Sequence, residues 1–172
     1  MPGVEELTAG DPERLVIENA RRKAAAVSAG GMVIACDTDV VLDGEVLGKP
    51  ADEADARRYL DRMSGRAHTV MSGLVVRDET QLSPHTGDNC VRSGLERTAV
   101  VFKHLTEAEK ERYVAFGEWR GRSGGYAIQT LGSSLVERLE GSVSNVVGLP
   151  VGLLAELAPG LFAPNRPSSQ NA

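Results

Sequence analysis

Residues 32–50, MVIACDTDVVLDGEVLGKP, contain the pattern that decides the fold. The apolar run MVIAC (32–36) is typical of a buried strand, and the polar group DTD (37–39) follows at its carboxyl end. Two further apolar segments flank Asp43-Gly44, a strong signal for a two-residue hairpin because both central residues need a positive φ. The sequence therefore predicts a strand, a hairpin and then a Gly-Lys-Pro loop.

Helical patterns lie on both sides of this segment. Asp11-Pro12 is a good N-terminal cap and first turn, and Gly30-Gly31 is expected to end the helix that begins there. A second helix is predicted from about Asp52 to Met63, with Gly65 as its C-cap. The capping-box pattern that begins at Thr106 predicts a third helix, which ends near Gly117.

The rest of the chain alternates between strand and helix patterns. Strands are predicted at 68–76, 98–103 and 135–139, and a helical pair broken at 148–150 closes the fold. The polar, turn-rich stretch from Arg77 to Gly94 is interpreted as a loop or hairpin tip. This alternation predicts an α/β class with a mixed β-sheet flanked by helices.

The whole chain has 172 residues and a formal net charge of −5. We expect one domain at 1–163 and a disordered tail at 164–172. The acidic balance argues against a nucleic acid partner, and no apolar run approaches the length of a membrane span. The N-terminal residues lack an apolar signal-peptide core, and Cys36 and Cys90 are interpreted as two reduced thiols. These observations predict a cytoplasmic protein.

Asp37 and Lys49 form the strongest candidate site. Open α/β sheets place ligands outside the carboxyl ends of their strands, where Asp37 and Asp39 are predicted. Hydrolysis of a phosphoanhydride needs oxygen ligands for Mg²⁺ or Mn²⁺, a base for water and a cation for the phosphates. These residues supply all three. Spacing alone nevertheless favours a simpler interpretation, a polar turn at 37–39 and a solvated Lys49.

Three weaker candidates are each open to an ordinary structural interpretation. Glu6 is either a metal ligand or part of a charged terminus. Tyr126 and Gln129 either contact a nucleobase or are a core tyrosine and a surface glutamine. Arg66 either binds phosphate with the backbone of its glycine turn or belongs to a basic helix end. The residues alone leave these alternatives open.

Six segments occur in the order of one known family: ENARRKAAAV, CDTDVVLDGEVLGKP, DEADARRYLDRMSGRAHTVMSG, TAVVFKHLTEAEKERYVAFGEW, GGYAIQTLGSSLVERLEG and SNVVGLPVGLLAEL. In this order they resemble the Maf (septum-formation) family of nucleoside triphosphate pyrophosphatases. Each segment alone is modestly specific, but together they extend from about Pro2 to Leu157. The resemblance makes the functional interpretation of Asp37 the stronger one.

The resemblance implies an elongated domain with an anion-binding cleft, where a nucleoside triphosphate is cleaved to the monophosphate and pyrophosphate. Asp37 is implied as the proton acceptor for the attacking water, and Lys49 as a phosphate contact. Glu6 and Asp37 are implied as ligands of a divalent cation, Mg²⁺ or Mn²⁺. Related proteins also imply a homodimer, although no residue pattern here identifies its interface.

The segment Tyr126 to Gln129 matches the Y-x-I-Q motif of the subgroup that acts on dTTP and UTP. By this resemblance Gln129 recognises a pyrimidine, helped by Ser72 and by Arg66 in the Ser-Gly-Arg turn. Arg122 stands where the family has a lysine. The arginine keeps the positive charge but differs from lysine in the shape of its charged group. Thr130 stands where the family usually has glycine.

Members of the family normally begin with an apolar strand and a loop of the form S-x-S-P-R-R, which the sequence given does not contain. We therefore expect part of the phosphate cradle to be absent. This leaves an alternative function, a non-catalytic nucleotide-binding or interaction protein. A third hypothesis is a phosphomonoesterase or phosphotransferase that uses the same carboxylates.

Overall fold

The computed structural model describes residues 4–28, 30–82 and 89–163. The described strands form one sheet in the order β2-β1-β3-β4-β5. The strands are β1 (Met32–Leu42), β2 (Glu45–Leu47), β3 (Ala67–Leu82), β4 (Asn89–Phe102) and β5 (Val136–Glu140). The helices are α1 (Pro12–Ala25), α2 (Glu53–Met63), α3 (Glu107–Phe116), α4 (Val143–Val147) and α5 (Val151–Leu157).

The α/β class is confirmed, but the prediction of a mixed sheet is wrong. Every pairing between the described strands is antiparallel. The segment β2-α2-β3 does return the chain in the same direction, as a strand–helix–strand crossover does. However, β1 lies between β2 and β3 in the sheet, so these two strands are not neighbours. The alternation of strands and helices along the sequence does not show which strands are neighbours in the sheet.

The hairpin predicted at Asp43-Gly44 is confirmed. Leu42 pairs with Glu45 across the turn, and the two turn residues have φ values of 54° and 80°. Both values lie in the left-handed region that this tight turn requires. The turn fixes the register in which Val40 faces Leu47.

The first strand is longer than the sequence predicted. MVIAC was expected to end before Asp37, whereas β1 continues through Asp39 to Leu42. The polar residues stay in the ladder because Asp37, Thr38 and Asp39 pair with Gly73, Ser72 and Met71 of β3. The candidate carboxylate therefore lies in the middle of an antiparallel strand and not at a strand end.

Of the two interpretations of Arg77 to Gly94, the loop is wrong and the hairpin is supported, because β3 and β4 pair in antiparallel fashion within the described parts of this stretch. In the structure β3 continues to Leu82 and β4 begins at Asn89, with Arg77 opposite Val91 and Asp78 opposite Cys90. The sequence did not predict these parts of β3 and β4 because they are polar and lack an alternating apolar face. Backbone hydrogen bonds contribute more to their pairing than apolar packing does. Residues 83–88, within the expected loop, lie outside the described residues, as does the tail predicted at 164–172.

Helices cover both faces of the sheet. On one face α1 packs through Ala20 and Ala24 onto Val33, Ala35 and Val75. On the other face the main core contains aromatic and aliphatic side chains from α2, α3 and the strands. No helix in the described ranges is both long enough and apolar enough to cross a membrane.

The helix caps agree with the sequence in most places. Asp11 accepts a hydrogen bond from the backbone N–H of Glu13 at the start of α1, and Thr106 forms the predicted capping box with Glu109. Gly117 ends α3 with a φ of 82°. The end of α1 differs, because the helix stops at Ala25, before the glycines that were expected to end it.

Candidate active site

A cleft of about 270 Å³ lies beside the middle of β1. One wall is formed by α1 and β1, and the other by the segment after α3 and by the end of α4. The charged residues that line it are Lys23, Asp37, Lys49 and Arg122. The other lining residues are Cys36, Thr38, Val40, Val70, Gly121, Ser123, Tyr126, Ala127, Ile128, Gln129, Val146, Val147 and Gly148.

Asp37 lies at the base of the α1 wall and is 8% exposed. Its Oδ1 forms an ion pair with Nζ of Lys23, and its Oδ2 accepts a hydrogen bond of 3.1 Å from Nδ2 of Asn19. Both partners come from α1, four residues apart and therefore on one face of the helix. The predicted catalytic carboxylate is thus held at both oxygens by one helix.

The close approach of α1 depends on Gly73, the residue opposite Asp37 on β3. A Cβ at Gly73 would lie 2.6 Å from the backbone nitrogen of Ile17, closer than side-chain carbons pack. Glycine thus lets the helix backbone lie directly on the sheet. This contact brings Asn19 and Lys23 within reach of Asp37.

Glu6 extends the cluster toward the opening of the cleft. Nζ of Lys23 lies 2.7 Å from one of its carboxylate oxygens, and Nζ of Lys49 lies 3.6 Å from the other. The order Asp37, Lys23, Glu6, Lys49 therefore alternates negative and positive charge. The structure brings together the predicted Glu6, Asp37 and Lys49 through Lys23, which the sequence did not predict.

The pKa values within this cluster follow from these contacts. The hydrogen bond from Lys23 lowers the pKa of Glu6 although partial burial opposes the shift. Burial alone would lower the pKa of Lys23, but its bonds to Asp37 and Glu6 outweigh burial and raise it. Glu6 is therefore ionised and Lys23 protonated near neutral pH.

Asp39, the second carboxylate of the DTD group, has a different environment. Its Oδ1 lies 2.8 Å from the hydroxyl of Ser123, which also accepts a hydrogen bond of 3.2 Å from the backbone N–H of Val40. Burial raises the pKa of Asp39, with the Ser123 hydrogen bond opposing. This residue joins β1 to the opposite wall, and it does not line the cleft.

The opposite wall carries Arg122 and Gln129, both exposed and both lining the cleft. Between them the chain turns through Gly124, whose φ is 69°. A Cβ there would lie 2.6 Å from the side chain of Val40, so only glycine lets this segment pack against β1. Two predicted substrate contacts thus face Asp37 and Lys49 across the cleft.

Tyr126 lines the cleft but is largely buried. Its ring packs edge-on against Phe102 and His68, and its hydroxyl is 2.7 Å from Nε2 of His68. Burial raises the pKa of Tyr126 and lowers that of His68 to about 4. Tyr126 therefore forms part of the cleft wall, while its hydroxyl bonds to His68 in the interior.

The structure does not place two predicted contacts at the cleft surface. Ser72 is fully buried, and its hydroxyl is 2.7 Å from that of Thr38, so it lies behind the wall. Arg66 lies at the β1–β2 turn, where it binds both carboxylate oxygens of Asp43 at 2.6 and 2.9 Å. Of these residues only Thr38 lines the cleft.

The sequence interpretation missed Asn19, Lys23 and Ser123. A weak signal existed for the first two: polar residues four apart on a helix face that otherwise carries Ala20 and Ala24. Ser123 had no comparable signal, because its partner Asp39 is 84 residues away in the chain. Only the folded structure reveals that contact.

A divalent cation is compatible with the carboxylates at the cleft. In the described part of the chain no group of three Asp, Glu, His or Cys side chains forms a ready-made metal site. Mg²⁺ commonly binds one or two carboxylates together with substrate phosphates and water. Glu6 and Asp37, both bound to Lys23, provide such a pair.

Comparison with known proteins identifies the family. A family model described as Maf-like protein matches residues 2–160. Similar proteins called "dTTP/UTP pyrophosphatase" come from Anaeromyxobacter sp. (strain Fw109-5), with 49% identity over 89% of this chain and 73% of that protein, and from Deinococcus radiodurans, with 44% over 87% and 74%. One from Pyrococcus abyssi is 40% identical over 89% and 79%. With a match over nearly its whole length, the chain belongs to the Maf family.

Proposed function

We propose that this protein hydrolyses nucleoside triphosphates to the monophosphate and pyrophosphate, with dTTP and UTP as its substrates. The names of the relatives support the substrate class. The observation that carries the proposal is the placement of Asp37, a carboxylate held by two donors, in a cleft with Lys23, Lys49 and Arg122. This arrangement combines a base with cations for a polyphosphate.

Asp37 acts as the general base. It accepts a proton from a water molecule in the cleft, whose oxygen attacks phosphorus at the anhydride between the α- and β-phosphates. The bond between that phosphorus and the bridging oxygen breaks, and pyrophosphate leaves. Lys23, whose pKa is raised by its bonds to Asp37 and Glu6, stays protonated and holds the Asp37 carboxylate in its orientation.

Lys49 and Arg122 bind the phosphates from opposite sides of the cleft. The lysine contributes a point charge, while the arginine offers a planar set of donors that fits two phosphate oxygens at once. Gln129, farther along the Arg122 wall, places an amide where it reads the edge of the base. A pyrimidine presents both a donor and an acceptor there, which one carboxamide can match.

A divalent cation completes this proposal, with Glu6 and Asp37 as its protein ligands. When bound with the substrate, the ion supplies positive charge for the departing pyrophosphate. We expect EDTA to abolish pyrophosphate release and added Mg²⁺ or Mn²⁺ to restore it. If pyrophosphate release is undiminished after chelation and dialysis, the reaction does not require a metal. That result would not contradict the role of Asp37 as the base.

Replacement of Asp37 tests the proposal directly. We expect Asp37→Asn to lower kcat for UTP by roughly 1,000-fold, because the amide cannot accept the proton. The matched control is Asp43→Asn, which alters a carboxylate of the same strand-and-turn region that pairs with Arg66 outside the cleft. The assay should measure pyrophosphate and orthophosphate separately for dTTP, UTP, CTP, ATP and GTP.

The outcomes of this assay separate the hypotheses. Pyrophosphate release that survives Asp37→Asn would exclude Asp37 as the base. Orthophosphate as the first product would instead indicate a phosphomonoesterase or phosphotransferase. Equal kcat/KM for all five nucleotides would contradict the assignment of dTTP and UTP but not the reaction.

A further inference from the structure

Asn19 is a polar side chain buried on the sheet-facing side of α1, with 2% of its surface exposed. Its carboxamide forms three hydrogen bonds. Oδ1 accepts from the backbone N–H of Leu7 at 2.7 Å, and Nδ2 donates to the carbonyl oxygen of Leu7 at 3.0 Å. Nδ2 also donates to Oδ2 of Asp37 at 3.1 Å.

The orientation of this carboxamide is determined by its partners. The backbone N–H of Leu7 can only donate, so the atom that faces it must be the oxygen of Asn19. Nδ2 then faces the carbonyl oxygen of Leu7 and the carboxylate of Asp37, both of which only accept. Each of its two N–H groups has one partner.

We propose that Asn19 is a positioning residue for the reaction, which orients the Asp37 carboxylate and fixes the segment that carries Glu6 beside it. The inference rests on the function proposed above for Asp37. Lys23 holds one oxygen of Asp37, and a carboxylate held at one oxygen can still rotate about its terminal bond. The donor from Asn19 at the second oxygen removes that freedom and sets the direction of the remaining lone pairs.

The same side chain connects two parts of the site. Leu7 follows Glu6 directly in the sequence, and both of its backbone polar groups are bound by Asn19. One carboxamide therefore sets the distance between the segment of Glu6 and Asp37. A shared anchor of this kind is a means of preorganisation, since both carboxylates are placed before the substrate binds.

Asn19→Asp separates the two contacts. An aspartate oxygen still accepts from the N–H of Leu7, but its other oxygen then faces Asp37 as a second carboxylate, which repels Asp37 instead of donating to it. We expect kcat for UTP at fixed Mg²⁺ to fall about 10- to 100-fold, the range for losing a hydrogen bond to a charged group, while KM changes by less than about threefold. Hydrogen exchange at the Leu7 amide should remain slow in this variant and become fast in Asn19→Leu.

Ala20→Gly is the matched control on the same helix. Ala20 is fully buried and packs in the core beneath α1, so the glycine loosens the helix without altering a contact of Asp37. We expect a lower Tm but a kcat within about twofold of the parent. An Asn19→Asp protein with normal kcat would overturn the proposal, as would an Ala20→Gly protein whose kcat falls equally.

A measurement that needs no activity keeps this inference distinct from the proposed function. In ¹⁵N NMR spectra the Asn19 side-chain amide protons should exchange slowly, and exchange should become at least about tenfold faster in Asp37→Ala, because one acceptor is lost. Unchanged exchange in Asp37→Ala would overturn the contact on which the proposal rests. Failure of the wild-type protein to cleave any nucleotide would refute the proposed function alone.

Discussion

Lys23 links the two carboxylates of the candidate site. It binds Glu6 and Asp37 at once, so two negative charges share one protonated amine. The ion pair is partly buried, and its charges are therefore less screened than those of a surface pair. At the residue scale, a single side chain from α1 sets the electrostatics of both candidate metal ligands.

His68 provides a residue-scale prediction about pH. Its folded-state pKa is lowered by burial to about 4, whereas an exposed histidine titrates near 6.5. The unfolded chain therefore takes up a proton first as the pH falls. Stability is full above pH 6.5 and is lost between 6.5 and 4. We expect the free energy of unfolding, from urea denaturation, to fall by about 2 kcal/mol between pH 7 and pH 5 from this residue.

His68→Gln is the control for this prediction. Glutamine can still bond to the Tyr126 hydroxyl but does not titrate, so the difference between the two proteins isolates the contribution of the histidine. Other groups, such as Asp39, cancel in that comparison. An equal loss of stability in His68→Gln over the same pH range would show that other groups cause it.

The residues of the site were predictable to different degrees. Asp37 and Lys49 lie in one short segment whose residue types suit phosphoanhydride chemistry, and the family resemblance gave them roles. Asn19 and Lys23 escaped prediction because their contacts with Asp37 depend on the packing of a helix on a strand, of which their spacing of four residues is only a weak sign. Arg66 was expected at the cleft because its glycine turn suits a phosphate and because of the family resemblance, but in the fold it pairs with Asp43.

At the scale of elements, the position of α1 over β1 and β3 is what assembles the carboxylate wall. The helix packs through small residues, Ala20 and Ala24, and its backbone touches the sheet at Gly73. Small residues on both sides bring the helix close enough for short polar side chains to reach β1. The packing of two elements thus determines the geometry of the site.

Gly73→Ala tests this packing. The added methyl group would overlap the backbone at Val16 and Ile17, so α1 must move away from the sheet. We expect a loss of roughly 3 kcal/mol in the free energy of unfolding, the upper range for an overpacked core. We also expect kcat to fall, because Asn19 and Lys23 move away from Asp37.

Gly152→Ala is the contrasting variant. This glycine lies in α5 with open space around it, so alanine should stabilise the helix by up to about 1 kcal/mol without affecting kcat. Thermal unfolding and pyrophosphate release measured on both variants provide the comparison. A Gly73→Ala protein as stable and active as the parent would show that α1 does not need the close contact.

The elements themselves were predictable where local chemistry marks them. Caps located the starts of α1 and α3, the apolar pattern located α2, and Asp43-Gly44 located the hairpin. The outer part of the β3–β4 pair was missed because its polar residues lack an apolar period. The sheet was expected to be mixed because strand order in space, with β1 inserted between β2 and β3, is a long-range property.

At the scale of the whole molecule, charge is distributed unevenly. The chain carries a net charge of −5, yet at the cleft the cations Lys23, Lys49 and Arg122 outnumber the carboxylates of Asp37 and Glu6, with which the two lysines pair. A polyphosphate is therefore repelled by the molecule as a whole and attracted locally. A cleft concentrates the electric field of its charged side chains because its protein walls have a lower dielectric constant than water.

We expect KM for UTP to depend on salt more than kcat does. Raising the ionic strength from about 50 to 300 mM at fixed free Mg²⁺ should raise KM roughly fivefold, since the attraction of the cleft cations is screened. The same change should alter KM less in Lys49→Gln, which lacks one of those cations. A KM independent of salt in the parent protein would show that these cations do not attract the substrate from solution.

The two walls of the cleft also differ in the length of chain that separates their contacts. Asn19 reaches Asp37 across 18 residues, whereas Ser123 reaches Asp39 across 84. Closing the longer loop costs about 1.4 kcal/mol more in chain entropy. The carboxylate wall can therefore form during folding from the first half of the chain, which includes Gly73 and Val75 of β3, on which α1 packs. The wall that carries Arg122 and Gln129 requires contacts that arise only when most of the chain has been arranged.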